Sequence, residues 1–195
     1  MDPTAIIPVK SFTTAKERLS DHLSSARRAD LARATALHVI HVTIDSGFNT
    51  IVVTDDSEVA DLAHRHGARH VPDPGNGLNA AAEAGIAAVE GPWVVLHADL
   101  PLLDRPALRG TSQVLDRGHH LIAPSRDGGT NLLGGKGDFH FSYGPASFHQ
   151  HLGLIGRDPV TILIDAATAT EVDTIEDLIA AANRPEGAWL LPFLS

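Results

Sequence analysis

Cysteine is absent from the 195 residues, which excludes disulfides and thiolate metal sites. No apolar run approaches the roughly 18 residues that span a bilayer. The segment Met1-Asp2-Pro3-Thr4 lacks the basic and apolar regions of a secretory signal. These two absences set a cytoplasmic location and no membrane contact as the expectation. Linkers, repeats and low-complexity tracts are also missing, so one domain over 1–195 is expected. Positive charge is scarce, with 15 Lys and Arg against 24 Asp and Glu and a net charge of −9. A protein that neutralises nucleic-acid phosphates is ordinarily basic, so nucleic acid is not an expected partner. An acidic enzyme can still take an anionic substrate, given local cations, helix N-termini or bound metal.

What is present is a globular composition, 43% hydrophobic and 20% charged. Ala5–Val9 reads as a buried strand. Ser24 or Ser25 caps a helix whose apolar positions Leu31, Ala34, Leu37, Ile40 and Ile44 follow at helical spacing until Gly47 stops it. Thr50–Thr54 is a β-branched strand, Ser57–His66 a helix closed by Gly67, and Arg69–Val71 a brief strand. Leu78–Val89 is an Ala-rich helix. Trp93–His97 has no alternation, which predicts cover on both faces. A helix over Pro106–Leu115 and a strand over Leu121–Ala123 complete the regular part. Alternating strands and helices predict right-handed βαβ units: an α/β fold with a mostly parallel sheet between helical layers. Residues 124–145 read as an irregular insertion forming one wall of a site. A helix near Ser147–Leu154, an apolar run Val160–Ile164 and a last helix from Ile175 follow.

Ligands of open α/β sheets bind beyond the carboxyl ends of the strands, so the polar residues after each apolar run are the candidates. After the first strand, Lys10, Lys16 and Arg18 lie within nine residues, where a helix is expected to begin. Such a cluster suits a polyphosphate, or is a solvated basic loop. Asp99 follows the Trp93–His97 strand, and Asp173 closes a later apolar stretch. Each is either a turn or cap residue or a ligand of Mg²⁺; two on neighbouring strand ends would make a metal site. Asp127-Gly128-Gly129-Thr130-Asn131 can cradle an anion with backbone donors and hydroxyls, and Gly144 and Ser147 sit at a helix start. Ordinary turn chemistry is the other reading of both.

Two motifs point elsewhere. Gly75-Asn76-Gly77-Leu78-Asn79-Ala80 fits G-x-G-x-x-A, but Pro72-Asp73-Pro74 separates it from its strand. Gly134-Gly135-Lys136-Gly137 lacks the Ser or Thr that follows a P-loop lysine. Zinc would need three or four converging ligands, and the 12 histidines are scattered. His151 stands apart, one turn beyond Ser147 on the same helix face.

In this order the motifs resemble the 2-phospho-L-lactate guanylyltransferase family (CofC, also called FbiD in actinobacteria). The matching residues are Pro8-Val9-Lys10, Lys16-x-Arg18-Leu19, Gly77-Leu78-Asn79-x-Ala81, Ala98-Asp99-Leu100-Pro101, Gly128-Gly129-Thr130-Asn131, Phe141-x-Tyr143-Gly144-x-x-Ser147-Phe148-x-x-His151 and Val172-Asp173-Thr174-x-Glu176-Asp177-Leu178. The resemblance implies a nucleotide-diphospho-sugar-transferase-like nucleotidyltransferase fold, GTP as donor, Mg²⁺ as cofactor and a phosphorylated acid as acceptor. That acid is phosphoenolpyruvate, 2-phospho-L-lactate or 3-phosphoglycerate, and the product feeds coenzyme F420 synthesis. It implies metal on Asp99 and Asp173, and the acceptor on Thr130, Gly144 and Ser147 with Gly129 and Asn131 beside them. Lys10, Lys16 and Arg18 would meet the triphosphate, and Val9, Leu78 and Asn79 the nucleoside. The chain departs from the family at Asp127, where many members carry one more glycine, and at His38 and His41, where an Arg-Asp pair is more usual. A sugar-phosphate or molybdopterin nucleotidyltransferase, a non-catalytic nucleotide-binding module and a dehydrogenase are the competing readings. The apolar tail Trp189–Leu194 folds back on the core or forms a homodimer contact.

Overall fold

A computed structural model describes residues 2–194; Met1 and Ser195, the ends of the expected domain, lie outside the described residues. The chain forms a seven-stranded sheet in the order β3-β2-β1-β4-β6-β5-β7. The strands are β1 (Thr4–Pro8), β2 (Asn49–Thr54), β3 (Arg69–Pro72), β4 (Pro92–Leu96), β5 (His120–Pro124), β6 (Thr130–Lys136) and β7 (Val160–Ile162). The helices are α1 (Ser25–Asp45), α2 (Ser57–Arg65), α3 (Gly77–Ala87), α4 (Arg105–Asp116), α5 (Ser147–Ile155), α6 (Ala166–Ala169) and α7 (Ile175–Ala182). All pairings are parallel except those of β6, which runs antiparallel to both β4 and β5. No described helix is long and apolar enough to cross a membrane.

The period of a strand divides the core into two layers. Ala5 and Ile7 of β1, Val52 of β2, and Val94 and Leu96 of β4 face the apolar stripes of α1, α2 and α4. Ile6, Ile51, Trp93 and Val95 face α3, α5 and Phe141. β4 is therefore covered on both sides, as its unbroken apolar run predicts. Helix starts follow the expected side-chain chemistry. Ser24 accepts from the Arg27 N–H, Asp56 from Glu58 and Val59, and Asp104 from Ala107. Thr174 and Asp177 form a capping box at α7.

Two sequence expectations need correction. Residues 124–145 are not an irregular insertion, because Thr130–Lys136 within them is an inner strand. Gly134 and Gly135 hide it, since glycine disfavours strands in isolation. Here close packing requires them: a Cβ on Gly134 would lie 3.2 Å from the Trp93 carbonyl oxygen, and one on Gly135 2.7 Å from His120 Nδ1. This also disposes of the P-loop reading of that segment. Nor does an α-helix begin among Lys10–Arg18. The chain makes two single 3₁₀ turns, Phe12–Thr14 and Glu17–Leu19, and Lys16 between them is left-handed at φ 57°. That backbone interrupts any helical continuation.

The tail folds back on its own chain. Pro185–Phe193 is a 3₁₀ helix whose Leu190 is buried against α7 and Leu102. Trp189 stacks on His38 at 5.4 Å, and His38 hydrogen-bonds the Leu103 carbonyl at 2.8 Å. His41 bonds His66 of the α2 C-cap at 2.8 Å. Both unusual histidines of α1 thus serve intramolecular packing.

α3 lies close to the sheet because residue 85 is glycine. A Cβ there would sit 2.3 Å from Ile6 Cγ2 and 3.2 Å from Val53 Cγ2. Gly85→Ala is expected to destabilise the protein by about 1–3 kcal/mol through overpacking, despite the better helix propensity of alanine. Thermal unfolding checks this; an unchanged or raised Tm would show that α3 can slide away from β1.

Candidate active site

Beyond the carboxyl ends of β1 and β4 the chain diverges to opposite halves of the sheet, leaving a cleft at the switch point. A cavity of about 250 Å³ opens there. Val9, Phe12, Ala32, Ala36 and Leu78 make its apolar wall, and Lys10, Lys16, Asp99 and Asp173 its polar end. A flat apolar group with a charged tail suits such a division. Arg18 stands outside, 71% exposed, with its guanidinium 3.7 Å from Asp173.

At the polar end Lys16 ties two distant segments together. Its Nζ lies 2.6 Å from Asp99 Oδ2 and 3.2 Å from Asp173 Oδ1. The side chain of Lys16 is only 7% exposed, against 23% and 40% for the two aspartates. Burial disfavours the ammonium, but the charges of Asp99 and Asp173 outweigh it and raise the lysine's pKa. Burial likewise works against the Asp99 carboxylate, and Lys16 and His97 hold its pKa below the ordinary value. A cation already bridges the two aspartates expected to hold metal.

Two further groups complete the polar end, and the sequence reading did not single them out. His97, Asp99 and Glu171 offer ligand atoms within 4.8 Å of one another. Glu171 precedes Asp173 by two residues in an extended segment, whose Val172 N–H bonds the Asp99 carbonyl at 3.3 Å. Its spacing of two residues from Asp173 was the available signal. Burial, then the charges of Asp99, Asp173 and Asp127, push the Glu171 pKa up to about 8. Burial pushes the His97 imidazole down. Asp99 Oδ1 and His97 Nε2 are buried without a hydrogen-bond partner among the described residues. Such groups are costly unless a ligand satisfies them. A hard divalent cation on carboxylate oxygens fits both the donor set and the orphaned Asp99 oxygen.

A second polar group lies across a bridge of rings. His97 and Tyr143 are 5.6 Å apart between centroids, and Tyr143 and His151 4.9 Å. Thr130, at the start of β6, and Ser147, at the start of α5, are both 1% exposed. The Ser147 hydroxyl donates to Thr130 Oγ1 at 3.2 Å, and His151 Nδ1 is 3.0 Å from the same oxygen. The Ser147 N–H bonds the Gly144 carbonyl, and Gly144 has φ 135°. The Gly129 N–H is taken by Asp127 Oδ1 at 3.2 Å, and that carboxylate also accepts from the Ser125 hydroxyl. Asp127, where the sequence departs from the family pattern, therefore folds its own loop.

The remaining site residues are placed less openly. Asn131 is fully buried, with its amide donating to the Thr168 carbonyl at 3.1 Å. Asn79 does not line the cavity that Leu78 lines. Its Oδ1 accepts from the Tyr143 N–H at 2.6 Å, which ties α3 to the 139–146 segment.

The model of the guanylyl transferase CofC-like family matches residues 3–183. The chain belongs to that family. It is 34% identical to the phosphoenolpyruvate guanylyltransferase of Streptomyces scabiei, over 96% of this chain and 93% of that one. It is 28% identical to the 2-phospho-L-lactate guanylyltransferase of Methanocaldococcus infernus, over 97% of this chain and 88% of that one. Among solved structures, one from Desulfovibrio desulfuricans described as a nucleotide-diphospho-sugar transferase superposes with a TM-score of 0.76. It covers 98% of this chain and 95% of its own at 16% identity. That likeness concerns the fold, and it agrees with the three-layer architecture the alternation of strands and helices predicts. The family places this chain among the nucleotidyltransferases and removes the dehydrogenase and non-catalytic readings.

Proposed function

We propose that this member of the family transfers GMP from GTP to phosphoenolpyruvate or 2-phospho-L-lactate, releases pyrophosphate and so supplies coenzyme F420 synthesis. One observation carries the reading: the Lys16 ammonium clasped between Asp99 and Asp173 at the polar end of an apolar-walled cleft. Relatives named for each acceptor match over almost their whole length, and the two acids share the phosphate and carboxylate that would be recognised.

The reaction is an in-line displacement. A phosphate oxygen of the acceptor forms a bond to the α-phosphorus of GTP while the bond from that phosphorus to the β-phosphate oxygen breaks. The nucleophile is already an anion, so the chain need supply no general base. Asp99 with Asp173, Glu171 and His97 are the residues that would hold Mg²⁺, which when bound supplies charge screening around the α-phosphate. Val9 and Leu78 pack against the nucleoside. Lys10, Lys16 and Arg18 take the negative charge that develops on the leaving pyrophosphate. Thr130, Gly144 and Ser147 hold the acceptor, with Gly129 and Asn131 shaping the strand beneath it. Holding both substrates in one cleft contributes the entropic part of the acceleration.

Pyrophosphate release from GTP with Mg²⁺ tests the reading, with phosphoenolpyruvate, 2-phospho-L-lactate or no acceptor present. Release that requires one of the acids is expected. Folded protein that binds GTP but releases nothing with either acid would exclude both as acceptors.

A further inference from the structure

We propose that His151 is a positioning residue that locks the Thr130 hydroxyl as a hydrogen-bond donor toward the acceptor's anionic group; this rests on the reading of Thr130 as an acceptor ligand. The Ser142 N–H donates to His151 Nε2 at 2.9 Å, and a backbone N–H can only donate, so Nε2 is the bare nitrogen of the ring. The ring is fully buried, and burial, then the charge of His97, lowers its pKa to about 4. Near neutral pH the imidazole is therefore uncharged, and its one proton is on Nδ1. Nδ1 faces Thr130 Oγ1 at 3.0 Å, so the histidine donates and the threonine accepts.

The consequence falls on Thr130. One lone pair of its oxygen takes the Nδ1 hydrogen, and the other takes the Ser147 hydroxyl. With both of those positions taken, the capacity left on that oxygen is its own hydrogen. A hydroxyl able only to donate suits a phosphate or carboxylate and disfavours a ligand that must donate in return. Should Ser147 turn its hydrogen toward the ligand, His151 still occupies one acceptor position on Thr130. The ring cannot readily turn away, because Tyr143 and Phe141 both meet it edge-on, at 4.9 and 6.2 Å between centroids.

Steady-state kinetics with GTP, Mg²⁺ and phosphoenolpyruvate, or 2-phospho-L-lactate if that is the acceptor turned over, separate this role from simple packing. His151→Phe keeps an aromatic ring and removes the Nδ1 donor. It is expected to raise the acceptor KM roughly tenfold to a hundredfold, in line with a hydrogen bond to a charged group, and to leave the KM for GTP unchanged. Two smaller variants part the ring nitrogens. His151→Asn puts an amide nitrogen near the Nδ1 position and should restore most of the acceptor affinity. His151→Gln reaches the Nε2 position and should not. If His151→Phe does not fold, this pair decides, and equal acceptor KM values for Asn and Gln overturn the proposal. Thr130→Val should raise the acceptor KM by at least as much as His151→Phe, and the double variant should be no worse than Thr130→Val alone. Effects that multiply in the double variant would show that the histidine does not act through the threonine. An acceptor KM raised by Thr130→Val but untouched by His151→Phe overturns the positioning role alone. If Thr130→Val changes nothing, Thr130 is not an acceptor ligand, and the reading beneath the proposal falls with it.

Discussion

Asp99→Asn is expected to lower turnover by on the order of 10²- to 10³-fold while leaving the fold intact. Asparagine preserves the volume of the side chain and an oxygen that Lys16 can still reach, so the Lys16 contact at 2.6 Å can persist in neutral form. What disappears is the negative charge at the end of β4 and with it the main hard ligand of the cluster. The unfolding midpoint should move by only a few degrees, because losing one of the two carboxylates on Lys16 relieves its repulsion with Asp173 as it weakens the pairing with the lysine. Initial rates of pyrophosphate release together with a thermal melt check both parts. Wild-type turnover in the variant would remove Asp99 from the reaction altogether.

Replacing Lys16 by methionine should do two things at once. Turnover is expected to fall by about 10²-fold or more, through loss of a cation that meets the leaving group. Stability without divalent cation should fall by roughly 2 kcal/mol, less than a fully buried broken pair costs because Asp173 is 40% exposed. Mg²⁺ should then stabilise Lys16→Met more than it stabilises the wild type, since in the wild type the ammonium competes for the same carboxylate oxygens. Thermal melts across a Mg²⁺ series measure this. Identical cation dependence in the two proteins would show that lysine and metal do not share Asp99 and Asp173.

The residues that the sequence made legible are those whose role follows from local pattern. Strand and helix alternation set the layers, and the end of β4 pointed to Asp99. The spacing of Ser147 and His151 on α5 put both on the side that meets Thr130. What was hidden depended on contacts far along the chain. Lys16 reaches Asp99 across 83 residues and Asp173 across 157, and no periodicity records that meeting. β6 was hidden for the opposite reason. Its local signal is weak at Gly134 and Gly135, yet Trp93, Leu115 and His120 leave no room for larger side chains there. Glu171 was not singled out, because its place in the site comes from its nearness to His97 and Asp99, which lie more than seventy residues earlier in the chain. The helix expected after Lys10 is broken by the left-handed backbone at Lys16, a conformation that a non-glycine residue rarely adopts.

Guanylyl transfer requires attack on the α-phosphorus of GTP, and labelled GTP tests that directly. With Mg²⁺ and the acceptor that supports release, ³²P at the α-position should appear in a covalent adduct of the acid, and ³²P at the γ-position only in pyrophosphate. Label from the γ-position in the acid, or α-label recovered as GDP, would contradict guanylyl transfer and assign the cleft to phosphoryl chemistry instead.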